Sequence, residues 1–358
     1  MNTTVEILGF AREPAWLPWA VQYFFLVGIS AAAFFLSLPG LVFARKAWLA
    51  ASRQALFVAL VCGLTAPVAL LSDLHQPGRF LNFYLHPNLR SWMAWGSFFI
   101  PLYVGGLLLY AWVCLRPRLA ALAAGEENRH VAAVYRALAY GGHDNRTAVR
   151  LAAVVTAIGA VLILLYTGME VMLVRARPLW NSPLVPPLLV VTAFGGALGM
   201  TALFAAAART RGVAPVLYRW IAVTQALVLA LLALWYVGGV TGLSASAAEV
   251  LQAVAGSTGW VLTLAWLVAT TAVTLWLATR PPQGLVLLAL LALHGAWIFR
   301  WILFMGGQAI PKMGAAIQAY VLTPTPDGLV GIVGTAGLFL AIYILLTSFL
   351  RWDERATA

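Results

Sequence analysis

Charged side chains are scarce in this sequence of 358 residues. Asp, Glu, Lys and Arg together make up 9% of the chain, whereas hydrophobic residues make up 63% of it. A water-soluble domain of this size cannot bury so large an apolar fraction. The composition therefore excludes a soluble globular protein and indicates an integral membrane protein.

Cysteine and histidine, which hold many metal cofactors, are also few. The two cysteines, Cys62 and Cys114, lie in separate apolar runs without the close spacing of an iron–sulfur ligand set. Of the five histidines only His294 falls within an apolar run, where we interpret it as a packing residue, and a bis-histidine haem needs a pair at that depth. We expect no haem, no iron–sulfur cluster and no other metal in this chain.

Nine apolar runs are long enough to cross roughly 30 Å of hydrocarbon as helices. They lack the alternating pattern of barrel strands, and lipid cannot satisfy the backbone of any other open structure. The runs cover residues 18–43, 54–74, 92–115, 149–173, 184–208, 217–240, 259–279, 284–304 and 328–350. The predicted fold class is an all-α integral membrane protein with nine transmembrane helices.

The positive charges are unevenly distributed between the two sides of these runs. Counted by alternate loops, one side holds fifteen Lys and Arg residues and the side with the N-terminus holds six. Cytoplasmic loops carry the excess of Lys and Arg, so we expect an N-terminus outside and a C-terminus in the cytoplasm. The net charge of +11 then reflects membrane topology and not a nucleic-acid partner. The first run continues past any cleavage site, so we interpret it as a retained helix.

Ionisable and polar residues gather at the predicted outer ends of the runs. Tyr166 and Glu170 are four residues apart, so their side chains share one helix face beneath the outer surface. A phenol and a carboxylate at that depth suit a quinone headgroup, which needs hydrogen-bond donors and releases protons on oxidation. The alternative for Glu170 is a structural ion pair with Arg175 or Arg177.

Two further groups lie at the same side. Asp73, His75 and Arg79 follow the second run and offer a carboxylate, an imidazole and a cation, a plausible proton exit or an ordinary membrane rim. Gln22 and Tyr23 lie near the start of the first run, and Arg300 near the end of the eighth. We expect the tryptophans at 16, 19, 92, 95 and 180 to form an interfacial belt.

Several segments match a known pattern in order along nearly the whole chain. They are PWAVQY at 18–23, DLHQ at 73–76, SWMAWG at 91–96, YTG at 166–168 with Glu170, RPLW at 177–180, RW at 300–301 and QAIPK at 308–312. This set resembles the membrane subunits of the polysulfide-reductase type (NrfD/PsrC-like), and within them the tetrathionate reductase branch.

The resemblance implies a fold of two four-helix bundles followed by a ninth helix. We expect an extracytoplasmic N-terminus (1–17), a first bundle (18–173, with a cytoplasmic loop at 116–148) and a second bundle (184–304). An extracytoplasmic loop (305–327), the ninth helix (328–350) and a cytoplasmic tail (351–358) complete the division. The resemblance also implies two partners, an extracytoplasmic iron–sulfur subunit and a molybdopterin subunit that reduces tetrathionate to thiosulfate.

The resulting hypothesis is oxidation of menaquinol or ubiquinol at the outer face of a bacterial or archaeal cytoplasmic membrane. Tyr166, Glu170, Asp73 and His75 are the candidate catalytic residues. The candidate quinone-binding residues are Gln22, Tyr23, Tyr166, Arg79, Arg177 and Arg300, the arginines serving to hold the acids ionised or to dock the iron–sulfur subunit. Because the inner halves of the runs lack carboxylates, we expect no proton pumping.

Three alternatives stay open. The chain could serve a related polysulfide, thiosulfate or other oxyanion reductase, since the acceptor is selected by the partner. It could be an inert anchor. A secondary transporter is a further alternative, although its site would lie near the midplane between internal repeats, and neither feature stands out here.

Overall fold

A computed structural model describes residues 14–74, 76–141, 145–280, 284–310, 317 and 320–351. Within these residues the regular structure is entirely helical. The helices are α1 (Pro18–Leu41), α2 (Leu49–Asp73), α3 (Asn82–Leu85), α4 (Trp92–Gly125), α5 (Arg129–Leu138), α6 (Arg146–Met172), α7 (Val185–Ala207), α8 (Ala214–Val240), α9 (Ala245–Val254), α10 (Thr258–Ala278), α11 (Leu285–Trp301), α12 (Gly307–Ala309) and α13 (Leu329–Leu350).

Nine helices in the described part of the chain are long and apolar enough to cross a membrane, which confirms the predicted number and class. They are α1, α2, α4, α6, α7, α8, α10, α13 and a segment that runs from Leu285 through α12 to Ala309. The largest difference from the sequence prediction is α4, which continues ten residues beyond the predicted end at 115, to Gly125. Hydropathy marks where lipid contact ends, and an Ala- and Leu-rich helix can continue beyond that depth.

Helix α1 is one of the most enclosed spanning helices, together with α7. It packs most extensively against α2 and also contacts α6, α7, α11 and α13. Small residues such as Ala31, Ala32 and Ala33 are fully buried along it, because helices in lipid associate through close van der Waals packing. The helix begins with Pro18 at its first position, where the missing N–H has no intrahelical partner to lose.

The other spanning helices also pack against one another. Helix α4 packs on α6 and α2, α7 packs on α8 and α11, and α10 packs on α8 and α11. The grouping of these helices into two four-helix bundles stays a prediction.

The end of α13 is attached to the α4–α5 region. Arg118 of α4 donates from Nε to the carbonyl of Leu350 at 2.9 Å, and the hydroxyl of Tyr135 on α5 donates to the carbonyl of Phe349 at 2.7 Å. Arg351 forms an ion pair with Glu126. Helix α5 lies in the Ala- and Arg-rich connection at 116–146, whose sequence predicts one or two interfacial helices, and Asn128 caps its N-terminus.

Candidate functional site

A cavity of about 340 Å³ lies where α1 and α4 begin and where α2 and α6 end. These four helices and residues 80–84 form its walls. The walls are mostly apolar, and the polar side chains that reach the cavity include Tyr23, Asp73, Tyr166 and Glu170. Four of the nine sequence-predicted site residues therefore meet in one space.

Tyr166 and Glu170 occupy the same face of the last two turns of α6. Their spacing of four residues brings the phenol and the carboxylate together, and the two side chains interact. Tyr166 is buried, whereas Glu170 is half-buried and lines the cavity. A proton donor and a proton acceptor are thus available side by side.

Gly96 of α4 makes room for Tyr166. A Cβ atom at position 96 would lie 2.5 Å from the Tyr166 hydroxyl and 2.7 Å from its Cε2, closer than any real side chain allows. The absence of a side chain at this one position therefore sets where the phenol sits. The sequence analysis included Gly96 in the SWMAWG segment but assigned it no role.

The hydroxyl of Tyr23 is buried and has no hydrogen-bond partner among the described residues. The phenol interacts electrostatically with Glu170 and Tyr166. A buried hydroxyl without a partner is unfavourable in a native structure. Because Tyr23 also lines the cavity, a polar atom of a bound molecule can satisfy it.

Asp73 ends α2 and accepts a hydrogen bond at Oδ1 from the backbone N–H of Leu17 at 3.0 Å. Leu17 is the N-cap residue of α1, so this carboxylate joins the end of one helix to the start of the next. Asp73 also interacts electrostatically with Glu170. It is therefore both a structural residue and the second carboxylate of the cavity.

The other predicted site residues lie elsewhere. Gln22 is buried outside the cavity lining, with its Nε2 unpartnered among the described residues. Arg79 is exposed in the turn after α2. Arg177 donates from Nη1 to the carbonyl of Gln308 at 2.7 Å, which attaches the loop after α6 to α12. His75 lies outside the described residues.

Arg300 is fully buried in α11 at 1% exposure. Its guanidinium donates to the carbonyls of Phe24 at 3.0 Å, Ala296 at 2.8 Å and Leu189 at 3.2 Å, and to the hydroxyl of Thr192 at 3.2 Å. These bonds join α1, α7 and α11 through one cation. Among the described residues these donors meet carbonyls and one hydroxyl, and the predicted functions of Arg300, holding the acids ionised or docking a partner, stay predictions.

Two tryptophans predicted for an interfacial belt pack against each other, Trp180 being buried and Trp16 half-buried. Trp16 stacks on Trp180 with ring centroids 5.3 Å apart, and Phe304 completes the cluster. Trp180 is 5% exposed and donates from Nε1 to the carbonyl of Leu303 at 2.5 Å. Leu303 belongs to a π-helical turn, Ile302–Gly306, whose carbonyls are displaced from the regular α-helical pattern.

Large, partly exposed apolar side chains line one side of the cavity, between α2 and α4. Leu71 on α2, Met93 on α4 and Phe80 and Tyr84 between them line the cavity and are 39–44% exposed. Prolines stand in both neighbouring helices, at Pro67 and Pro101, and line the cavity as well. The cavity is therefore bounded on this side by surface suited to lipid contact.

The described residues contain no group of three or more His, Cys, Asp or Glu side chains arranged to hold a metal ion. The chemistry that the cavity offers is hydrogen bonding and proton transfer by phenols and carboxylates. An apolar site of this size with a few convergent polar groups is typical of small-molecule sites.

These features define a polytopic helical membrane protein with a small-molecule cavity at one end of its helices. Residues 9–312 match the family described as polysulphide reductase, NrfD, and the chain belongs to this family. It is a membrane subunit of the type found in polysulfide, tetrathionate, dimethyl sulfoxide and selenate reductases.

Three relatives are similar to the chain over different shares of its length. It is 34% identical to a tetrathionate reductase subunit of Salmonella typhimurium over 354 residues, which cover 97% of this chain and 95% of that protein. It is 28% identical to a putative dimethyl sulfoxide reductase membrane subunit of Halobacterium salinarum, over 54% of this chain and 43% of that protein. A selenate reductase subunit of Mesobacillus selenatarsenatis is 25% identical over 34% of this chain and 28% of that protein.

Proposed function

We propose that this chain is the quinol-oxidising membrane subunit of a molybdopterin respiratory reductase. One observation carries the proposal. A single cavity of about 340 Å³ combines mostly apolar walls with the buried tyrosines Tyr23 and Tyr166 and the carboxylates of Asp73 and Glu170. A quinol headgroup has the same character, a flat apolar ring with two hydrogen-bonding oxygens.

The quinol reaches the cavity from the bilayer. The exposed apolar side chains of Leu71, Met93, Phe80 and Tyr84 provide a path between α2 and α4 that a lipid-soluble carrier can follow. A charged or strongly hydrated substrate would gain nothing from this path. The surroundings of the cavity therefore favour a membrane carrier over a water-soluble molecule.

Within the cavity the phenols bind and the carboxylates receive protons. The hydroxyl of Tyr166 hydrogen-bonds one oxygen of the headgroup, and the unpartnered hydroxyl of Tyr23 is a second contact. Oxidation of a quinol releases two protons and two electrons. Glu170 takes up a proton from the bound oxygen, Asp73 is the next acceptor, and His75 relays protons outward.

The electrons leave to an iron–sulfur subunit that binds at the same end of the helices. Arg79 is exposed beside the cavity and suits the docking of that partner. Because the loops at the opposite end carry most of the positive charge, the cavity end faces outward, with the N-terminus outside and the C-terminus in the cytoplasm. The membrane is then the cytoplasmic membrane of a bacterium or archaeon.

We propose tetrathionate as the acceptor that the molybdopterin partner reduces, with thiosulfate as product. The support is the relative named for tetrathionate reductase, which matches nearly the full length of both chains. The relatives named for dimethyl sulfoxide and selenate reductases match shorter segments.

The test is the substitution Tyr166→Phe in the complete complex reconstituted into vesicles. Removal of the hydroxyl should lower the rate of quinol oxidation about tenfold or more, because a hydrogen bond to the reacting oxygen is lost. Quinol oxidation is followed optically, and reduction of the terminal acceptor by an artificial dye that bypasses the membrane subunit is followed separately.

Tyr110→Phe is the matched control. Tyr110 is also buried in α4 against α1, but its hydroxyl shares a hydrogen bond of 3.1 Å with Ser37 in the other half of the bundle. We expect this variant to oxidise quinol at the normal rate. If Tyr166→Phe and Glu170→Gln both leave quinol-dependent activity unchanged in an assembled complex, the chain is an inert anchor and the proposal is wrong.

A further inference from the structure

A second cavity lies at the opposite end of the same four helices. It has a volume of about 560 Å³ and is lined by the end of α1, the start of α2, the middle of α4 and the start of α6. Three arginines line it: Arg53 on α2 and Arg146 and Arg150 on α6. The candidate quinol site does not use any of these residues.

The positive charges at this cavity lie at positions where a helix favours an anion. Arg146 and Arg150 are four residues apart on one face of α6, a spacing at which like charges destabilise a helix. All three occupy the first two turns of their helices, where the helix dipole disfavours cations. A bound anion would compensate for both effects.

Arg53 and Arg150 are the guanidinium groups that are free to bind it. Neither forms a hydrogen bond or ion pair with the described residues, and both are exposed. The described residues that line the cavity include no carboxylate. A guanidinium presents two N–H donors in a fork that matches the oxygens of a phosphate.

The rest of the lining is apolar, which decides what kind of anion fits. Leu41, Val42, Leu49 and Val149 line the cavity together with Phe43, which is 66% exposed. Leu151, directly after Arg150 at the start of α6, has a side chain that is 63% exposed. A phosphate with attached acyl chains can place its charge between the arginines and its chains along these side chains.

The wall between α1 and α2 is held in a fixed position. The Oγ of Ser52 accepts a hydrogen bond from the backbone N–H of Gly40 at 3.0 Å and donates to the carbonyl of Leu36 at 2.9 Å. A Cβ atom at position 40 would lie 2.7 Å from the Cβ of Ser52. The close approach that glycine permits here leaves Arg53, one residue beyond Ser52, in a defined position beside the cavity.

We propose that this arginine cavity binds the phosphate headgroup of an anionic phospholipid. The lipid would neutralise Arg53 and Arg150 and fill the gap between α1, α2, α4 and α6. The site depends only on the arginines and the apolar lining, so it is independent of quinol oxidation at the other end.

The experiment uses the full-length chain in detergent, supplemented with phosphatidylglycerol, with phosphatidylcholine or with inorganic phosphate. Native mass spectrometry counts the retained lipid, and thermal unfolding measures the stabilisation. For the wild type we expect retained phosphatidylglycerol and a raised Tm, with no such effect of phosphatidylcholine. In the double variant Arg53→Gln/Arg150→Gln the apparent affinity for phosphatidylglycerol should fall about tenfold or more, since each arginine near an anionic lipid contributes roughly fivefold.

Arg219→Gln is the matched control, because Arg219 is an exposed arginine near the start of α8 that does not line the cavity. It should bind phosphatidylglycerol like the wild type. Equal loss in the control and the double variant, or no loss in either, would overturn the proposal, and so would full stabilisation by inorganic phosphate alone. If the double variant does not fold, the Arg53→Lys/Arg150→Lys variant tests the same site. This variant keeps the positive charges but loses the paired N–H donors of the guanidinium groups. Its affinity for phosphatidylglycerol should lie between those of the wild type and the glutamine double variant.

Discussion

The two ends of α1, α2, α4 and α6 enclose cavities of opposite chemistry. At one end phenols and carboxylates meet within mostly apolar walls, and at the other end three arginines meet within apolar walls. Residues of the same four helices line both cavities. The same four helices can therefore line two chemically different cavities, because the polar residues at each helix end are independent of the apolar residues that pack the middle.

The middle of the bundle also has polar groups, but they are mostly satisfied internally. The hydroxyl of Tyr103 pairs with Ser30 at 2.7 Å, and Ser30 in turn donates to the carbonyl of Ala59 at 2.7 Å. Tyr23, seven residues before Ser30 on α1, has no such partner among the described residues. A buried hydroxyl with a partner contributes to packing, and one without a partner at a cavity is available to a ligand.

The largest effect is expected from Glu170→Gln. Loss of the proton acceptor should lower quinol oxidation in the assembled complex about 10²- to 10⁴-fold, the usual contribution of a general base. Glu126→Gln, which changes a carboxylate at the arginine end that pairs with Arg351, should leave the rate unchanged. Equal rates in the two variants would remove the functional difference between the two ends.

An intermediate effect is expected from Gly96→Ala. The added methyl group would meet the Tyr166 ring and displace the phenol, so quinol oxidation should fall about ten- to a hundredfold. Gly105→Ala is the control, since a Cβ atom at position 105 of the same helix meets open space. The measurement is the steady-state rate of quinol oxidation by both variants, in complexes that contain equal amounts of this subunit. A normal rate for Gly96→Ala would contradict the role assigned to the phenol.

The smallest effect is expected from Tyr23→Phe. One hydrogen bond to the headgroup would be lost, so the KM for quinol should rise about threefold to tenfold, while Tm should not fall because the hydroxyl has no protein partner among the described residues. Tyr103→Phe should do the reverse, with a lower Tm and a normal KM, because its hydroxyl bonds to Ser30. A lower Tm for Tyr23→Phe would show that its hydroxyl is structural.

The pairing of Tyr166 with Glu170 could be predicted from the sequence because both lie on one helix, where a spacing of four fixes their relation. Gln22 shows the limit of such reasoning. It is next to Tyr23 in sequence, but successive residues of a helix point about 100° apart. Tyr23 lines the cavity, and Gln22 does not.

The contacts of Gly96 and Arg300 could not be predicted from the sequence for a different reason. The importance of Gly96 depends on which side chain of α6 reaches it, and a missing side chain leaves no pattern in a sequence. Arg300 has the sequence pattern of a functional charge in a membrane helix, but its donors meet carbonyls of α1, α7 and α11. Only the packing of those helices supplies these acceptors.

By itself the sequence determined the class of the protein, the number of its spanning helices and the helix ends at which its carboxylates and phenols gather. These follow from hydropathy and charge, which act on each segment separately, since lipid demands an apolar helix wherever the chain crosses. The tertiary structure alone decided which polar residues share a cavity and which are hydrogen-bonded within the protein. It also decided that the arginines of α2 and α6 line one cavity. Those relations depend on the rotation and closest approach of neighbouring helices, which are set by the shapes of side chains on both partners.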